Sequence, residues 1–252
     1  MSSDTKVAVS GVEGAAGQYI QGTGLAVPPL PWPYKKLDPE VVRRRGYELC
    51  FNNDNCMYGS AAALLLTLQE TLGFPFTCIP ADMFRYGAGG VVGWGTVCGA
   101  INGSGAIIAL VCKEYFEVIR ELMAWYATYP FPSDKHGAYC RFESKVKTIA
   151  YSPLCSDSLF KWGAEAKESI RSDIQKDRCA KVVGDTAARA VEMLNAVRIR
   201  GSKFLSCLRR RSGGAAAHPS KEIKEIKEIN YLRRRYLLWY LTSPVRRRFC
   251  SA

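Results

Sequence analysis

The sequence predicts a mainly α protein: one helical domain with long ordered loops, helices packed through small residues, and a strongly basic C-terminal tail beyond the domain. Three observations carry this. Apolar residues recur at helical spacing, most clearly in "RSDIQKDRCAKVVGDTAARAVEMLNA", where Cys179, Val182, Val183, Thr186, Ala190 and Met193 share one stripe. Helix-start and helix-stop residues bracket the periodic windows. No stretch alternates apolar and polar residues strongly enough for a sheet, and no internal repeat is found.

The elements follow in order. Residues 1–27 are small and polar and read as a flexible lead-in. "VPPLPWPYKKLDPE" is an extended proline strap, expected to be pinned by Trp32 and Tyr34. "LDPE" starts a helix, with Asp38 as N-cap, Pro39 at the first helical position and Glu40 in the first turn; it is expected to run to about Cys50. After the turn "FNNDN", a second helix begins near Cys56 and ends at Gly73. A short helix is expected around 80–86, and a buried one, packed through its small face, over about 95–112. "KEYFEVIRELMAWYATYP" is an amphipathic helix stopped by Pro130. The segment from Phe131 to Pro153 is loop with room for one short strand; a turn or helix starts after Pro153, and the long helix follows.

Charge divides the chain. Of 252 residues, 35 are Lys or Arg and 23 Asp or Glu, a formal net charge of +12. Residues 198–252 hold 15 of the basic and 3 of the acidic residues and so carry the whole excess. The body is neutral, which excludes a whole-protein case for specific nucleic-acid binding. The domains expected are thus a lead-in (1–27), a cysteine-containing helical domain (28–197) and the tail (198–252). The tail, with its KEI repeat and RRR runs, reads in two ways: an amphipathic helix over about 220–242 that touches a membrane surface or nucleic acid, or the product of a frameshift or pseudogene-like read-through. From Tyr86 to Cys112 there are 27 residues without a charge, long enough to span a bilayer, but eight are glycine and the first half reads as loop. The start has no basic segment followed by a long apolar one, so the chain as written reads as cytoplasmic; it would be periplasmic if an export signal is missing.

Ten cysteines stand against two histidines. That is too few histidines for most zinc or haem schemes, and the chain is too long for a small disulfide scaffold. Neither CxxC nor CxxCH occurs. Cys98 sits in "WGTVCGAINGSG" with glycines at 95, 99 and 103, a spacing that strips one face of side chains and lets a backbone or a bulky group approach the sulfur. Cys56 stands at a helix start, Cys155 precedes the cap cluster Ser156, Asp157 and Ser158, and Cys179 lies on the inner stripe beside Arg178. Taken singly, each reads first as a small buried hydrophobe.

Together these segments resemble the C_GCAxxG_C_C family of redox-active proteins: Cys56 in "NCMYG", "CGAING" from Cys98 to Gly103, Cys155 in "PLC" and Cys179 in "RC" keep its order and contexts. "PWPYKKLDPE", "YGAGGVVGWGTVCGAINGS", "LMAWY" and "RCAKVVGDTAARAVEMLN" are similar to the split-Soret cytochrome group over about residues 28–197. The resemblance implies a helical, often exported electron carrier rather than an enzyme, a homodimer, a redox partner protein, and an iron–sulfur cluster held by Cys56, Cys98, Cys155 and Cys179. It also implies c-type haem, and there the chain departs: Cys207 is followed by Leu208, Arg209, Arg210 and Arg211, so covalent haem through CxxCH is excluded. His136 and His218 read as loop histidines. Four thiolates suit a cluster or a zinc ion; their dispersal over more than a hundred residues favours a cluster or redox-active thiols over a zinc knuckle. Cys50, six residues before Cys56, reads as an extra ligand or a disulfide partner. Two alternatives stand beside the cluster carrier: a metal-free thiol–disulfide protein or sensor cycling a pair such as Cys56 and Cys98, and a basic-tailed binding protein whose cysteines are structural.

Overall fold

A computed structural model describes residues 26–143 and 145–212, with side chains to 199. Six α-helices make the fold: α1 Pro39–Asn53, α2 Cys56–Leu72, α3 Gly99–Val111, α4 Tyr115–Thr128, α5 Cys155–Ala166 and α6 Asp173–Ser212. Two 3-10 turns, Phe76–Cys78 and Ala81–Gly87, follow α2. No sheet forms among the described residues; two isolated antiparallel bridges, Val97 with Leu154 and Phe131 with Thr148, tie the loops. No described helix is long and apolar enough to cross a membrane, because α3 takes up only part of the charge-free run. The lead-in before residue 26 and the predicted helix at 220–242 lie outside the described residues.

The helix ends follow local chemistry. The Asp38 carboxylate accepts from the Glu40 N–H at 2.8 Å, with Pro39 at the first turn as expected. Asn55 caps α2 by accepting from the Tyr58 N–H at 3.0 Å, which separates α1 from α2 by a tight reversal at Asp54. Lys167 closes α5 in the left-handed region, and α4 stops two residues before Pro130. The helix α6 runs beyond residue 197, through Ser212.

The core lies where α6 meets α1 and α2, and where α3 and α4 pack over α2 and α6. Leu64, Leu65, Leu68, Ile107, Ile108, Leu122 and Val191 are fully buried there, each contributing on the order of 1.5–3 kcal/mol by leaving water. The proline strap closes one end. Trp32 packs edge-on against Phe76 at 5.3 Å and its backbone N–H donates to Leu110 at 2.7 Å. Tyr34 donates to Asn195 on α6 at 2.9 Å, and Asn195 donates back to the Leu37 carbonyl.

Helices α2 and α3 approach so closely that their contact surface is backbone. A Cβ at Gly103 would stand 2.2 Å from Ser60 Oγ, 2.5 Å from the Met57 carbonyl oxygen and 2.9 Å from the Ala61 nitrogen. Ser60 Oγ, in turn, donates to the Gly99 carbonyl at 3.1 Å. Gly103→Ala should therefore cost about 1–3 kcal/mol by overpacking. Gly105 is the control on the same helix: its Cβ would meet Ile119 at an ordinary 3.6 Å, so Gly105→Ala should be neutral or stabilise by about 0.5–1 kcal/mol. Urea denaturation of both variants checks the contrast; equal losses would contradict it.

The long segment after α4 is held by buried charge. Asp185 on α6 pairs with Arg43 of α1, accepts from the Ser133 N–H at 2.9 Å and Ser133 hydroxyl at 2.5 Å, and lies 3.0 Å from His136 Nε2. Burial alone would raise the Asp185 pKa, but His136 and Ser133 hold it below the usual value. A carboxylate only accepts, so His136 donates from Nε2, leaving Nδ1 to the Tyr139 hydroxyl at 3.0 Å. His136 is thus a buried network residue, 1% exposed, rather than a free loop histidine. A second carboxylate, Asp177, takes Lys181 at 2.6 Å, Tyr47 at 2.5 Å and the Arg141 N–H at 3.0 Å.

Candidate redox centre

Three of the four nominated cysteines stand at helix starts. Cys56 is the first residue of α2, Cys155 the first of α5, and Cys98 the N-cap of α3. Cys179 lies on the second turn of α6. Unpaired N–H groups and the positive helix end favour a thiolate at such places. The chain brings the four together with two crossings. The Cys98 N–H donates to the Pro153 carbonyl at 2.9 Å and the Cys155 N–H to the Thr96 carbonyl at 2.7 Å, which sets the segments before α3 and α5 side by side. Cys179 reaches the same pocket from α6, where Gln175 Nε2 donates to its sulfur at 2.9 Å. Cys56, Cys155 and Cys179 feel the charge of others in the set, and Cys98 interacts with Cys155.

The glycines divide their work differently from the sequence reading. Helix α3 begins at Gly99, so Gly95 is a loop residue with φ of +71° packed against Ser156, and not part of a helical face with Gly99 and Gly103. The expected start near 95 fails because the chain from Gly89 to Gly95 runs through left-handed conformations, including the β-branched Val91 (φ 60°) and Val92 (φ 43°). Gly99 makes the close approach foreseen: a Cβ there would stand 2.4 Å from Cys56 Sγ, 2.7 Å from the Met57 nitrogen and 2.9 Å from the Gly87 carbonyl oxygen.

The pocket separates the thiols electrostatically. Cys155 hydrogen-bonds to Cys98, and that bond, with help from Tyr126, the Ala100 N–H and the Arg178 charge, draws Cys98 down to about 6 despite burial. Cys155 is pushed well up by the same bond and by burial. Burial raises Cys56 to about 12 and also raises Cys179. Cys50, 4% exposed on α1, sits against Gly59 and is pushed up by burial beside Cys56, Cys179 and Cys98, so it is a fifth thiol at the edge of the set. The remaining described cysteines, Cys78, Cys112 and Cys140, are not among the causes that shift the four.

A pH profile follows for the reduced, metal-free protein. Between about pH 6 and 9 the folded chain keeps Cys98 ionised while the unfolded chain keeps it protonated, so stability rises with pH; as pH falls through 6 that contribution is lost. Above about pH 9 the unfolded thiols ionise while Cys56, Cys155 and Cys179 stay protonated in the fold, so stability declines. The difference in Tm between wild type and Cys98→Ala should grow from pH 6 to 9. A constant difference would contradict the assignment.

Sequence reasoning missed two residues of this pocket. Tyr126 on α4 is fully buried and faces Cys98 and Ser158, but its hydroxyl makes no hydrogen bond of good geometry. Arg178 is 4% exposed; its Nη2 donates to Ser158 Oγ at 2.8 Å, and its Nη1 lies 4.0 Å from Cys179 Sγ. The adjacency of Arg178 to Cys179 was visible in the sequence; nothing local pointed to Tyr126.

No group of three or more His, Cys, Asp or Glu among the described residues is placed to hold a single metal ion. The donor chemistry is nevertheless that of a thiol-based redox centre: four cysteines, Cys98 buried and Cys56, Cys155 and Cys179 half-buried, three of them at helix starts, in an all-helical frame. The family described as "Putative redox-active protein (C_GCAxxG_C_C)" matches residues 58–193, and the chain belongs to it. Cys56 stands two residues ahead of that range. The chain is similar to the split-Soret cytochrome c of Desulfovibrio desulfuricans (strain ATCC 27774 / DSM 6949 / MB), 28% identical over 197 residues, which cover 76% of this chain and 69% of the relative. The solved structure of the split-Soret cytochrome c from Desulfovibrio desulfuricans ATCC 27774, described for a novel iron centre, matches with a TM-score of 0.63 at 28% identity, covering 68% of this chain and 73% of that one. This is a redox-active helical protein related to split-Soret cytochrome c.

The family name spells its central motif glycine, cysteine, alanine; this chain spells it Cys98, Gly99, Ala100. In this structure a side chain at 99 would collide with Cys56 and with two backbone segments.

Proposed function

We propose that the chain is an electron-transfer protein that binds an iron–sulfur cluster through Cys56, Cys98, Cys155 and Cys179. The observation that carries this is the gathering of four dispersed cysteines, three at helix starts, in one pocket. The donor set fits the group, because Cys₄ thiolate ligation is the common one for such clusters. The sulfurs are not spaced for one ion, and a cluster spreads its ligands over several metal atoms. The iron centre of the split-Soret relative supports the same reading. Bound here, the cluster would supply one-electron chemistry; the chain's own part is to shield it, to hold the thiolates at helix ends and to exclude water. The natural partner is a redox protein.

Anaerobic purification of the full chain tests this by visible spectrum and by iron and acid-labile sulfide analysis. Brown protein with iron and sulfide, bleached by dithionite, is expected; a colourless protein without either would refute it. A second reading rests on the Cys98–Cys155 hydrogen bond, which pairs an ionisable thiol with a protonated one, the arrangement of a dithiol–disulfide couple. A metal-free protein that gains two titratable thiols on reduction would favour it.

A further inference from the structure

We infer that the cysteine pocket is built for a centre of net negative charge, and that Arg178 is its counter-ion. The inference deepens the cluster reading and rests on it.

Three cations in the described structure are almost completely buried: Arg43, Arg178 and Lys181, at 4%, 4% and 1% exposure. Two have a buried carboxylate each, Arg43 with Asp185 and Lys181 with Asp177. Arg178 forms no ion pair with a carboxylate among the described residues. Its partners are the Ser158 hydroxyl at 2.8 Å, the Ser158 carbonyl at 3.3 Å, the face of Trp162 at 5.9 Å and the Cys179 sulfur at 4.0 Å. Its Nε–H is buried without a hydrogen-bond partner. A buried charge left uncompensated is strongly destabilising, so a fold that keeps one supplies the opposite charge nearby. Among the contacts just named, the Cys179 sulfur is the one group able to carry that charge.

A second observation points the same way. The Tyr126 hydroxyl, fully buried on α4, has no partner of good geometry and is aimed at Cys98 and Ser158. A buried donor left open is costly, unless something accepts from it. A hydroxyl from α4 and a guanidinium from α6, each with a buried polar atom lacking a hydrogen-bond partner, thus stand beside the cysteines. The metal-free pocket offers Arg178 one thiolate, Cys98, and a disulfide between Cys98 and Cys155 would remove it. A thiolate-ligated iron–sulfur cluster gives it a net anion in both oxidation states.

The sign of the effect follows. Taking up one electron adds one negative charge, with no bond made or broken, so a fixed positive charge favours the reduced state. Arg178 therefore raises the reduction potential, and it acts as a positioning residue rather than a ligand.

The test is mediated spectroelectrochemistry of the reconstituted full chain, comparing wild type, Arg178→Lys and Arg178→Gln. At a fixed ambient potential near the wild-type midpoint, the reduced-to-oxidised ratio should fall about tenfold in Arg178→Gln, equal to a shift of about 59 mV for one electron. It should stay close to wild type in Arg178→Lys, which keeps the charge. Loss of iron from Arg178→Gln, with Arg178→Lys still loaded, supports the inference equally. Equal ratios in all three proteins would overturn it, as would equal loss of iron from both variants. A wild-type chain that binds no iron or sulfide would fail the cluster reading itself, a different result from a loaded wild type with an unresponsive potential.

Discussion

Replacing Cys98 with alanine should leave the protein folded and remove its iron. The side chain is 7% exposed and sits where α3 begins, so the change deletes one sulfur and keeps the Cβ. A loss of about 1 kcal/mol is expected from the smaller core volume. The effect on the centre is far larger. Cys98 is the thiol the pocket prepares as an anion, through Cys155, Tyr126, the Ala100 N–H and Arg178. Its neighbours cannot replace it: Cys155 and Cys56 already serve as ligands of their own, and Gly99 leaves no space for a side chain. Iron and sulfide per chain should fall to background, with a helical circular dichroism spectrum unchanged. Cys78→Ala is the control, since Cys78 is exposed on a 3-10 turn and should keep the full content. A Cys98→Ala protein that retains its iron would remove this residue from the centre.

Asp185→Ala should be the most destabilising single substitution described here, by about 3–5 kcal/mol. It strips the carboxylate from Arg43 and leaves that guanidinium buried with only the partly exposed Glu40 beside it. It also orphans the Ser133 N–H, the Ser133 hydroxyl and His136 Nε2. Against a typical domain stability of about 5–15 kcal/mol, a loss of this size unfolds much of the population at moderate temperature. Replacing both partners, Arg43→Met with Asp185→Leu, should cost clearly less than Asp185→Ala alone, because no unpaired charge remains. Urea melts of the single and double variants decide this; an Asp185→Ala loss below about 1 kcal/mol would show that the network adds little.

The two predictions differ in how far the sequence revealed them. Local signals were legible: Asp38 and Pro39 at the start of α1, the good helix formers of α2, Pro130 after α4, and the apolar stripe of α6 from Cys179 to Met193. The four cysteines were legible as a set only through order and context along the chain. What stayed hidden depends on contacts between residues far apart. Arg43 and Asp185 are separated by 142 positions, and Tyr47 and Asp177 by 130, so no window contains both partners. The role of Tyr126 was hidden for the same reason, since its helix reads as an ordinary amphipathic one. Gly95 was misread because a four-residue spacing of glycines looks helical, whereas consecutive left-handed residues place the chain in a loop there.

The central claim is that sulfur from this pocket binds iron in a multi-iron cluster. X-ray absorption at the iron edge of the anaerobically purified full chain tests it most directly. The expected result is iron surrounded by sulfur, with a second shell of iron, both lost in Cys98→Ala. Iron surrounded by nitrogen and oxygen alone, or iron unaffected by Cys98→Ala, would contradict it.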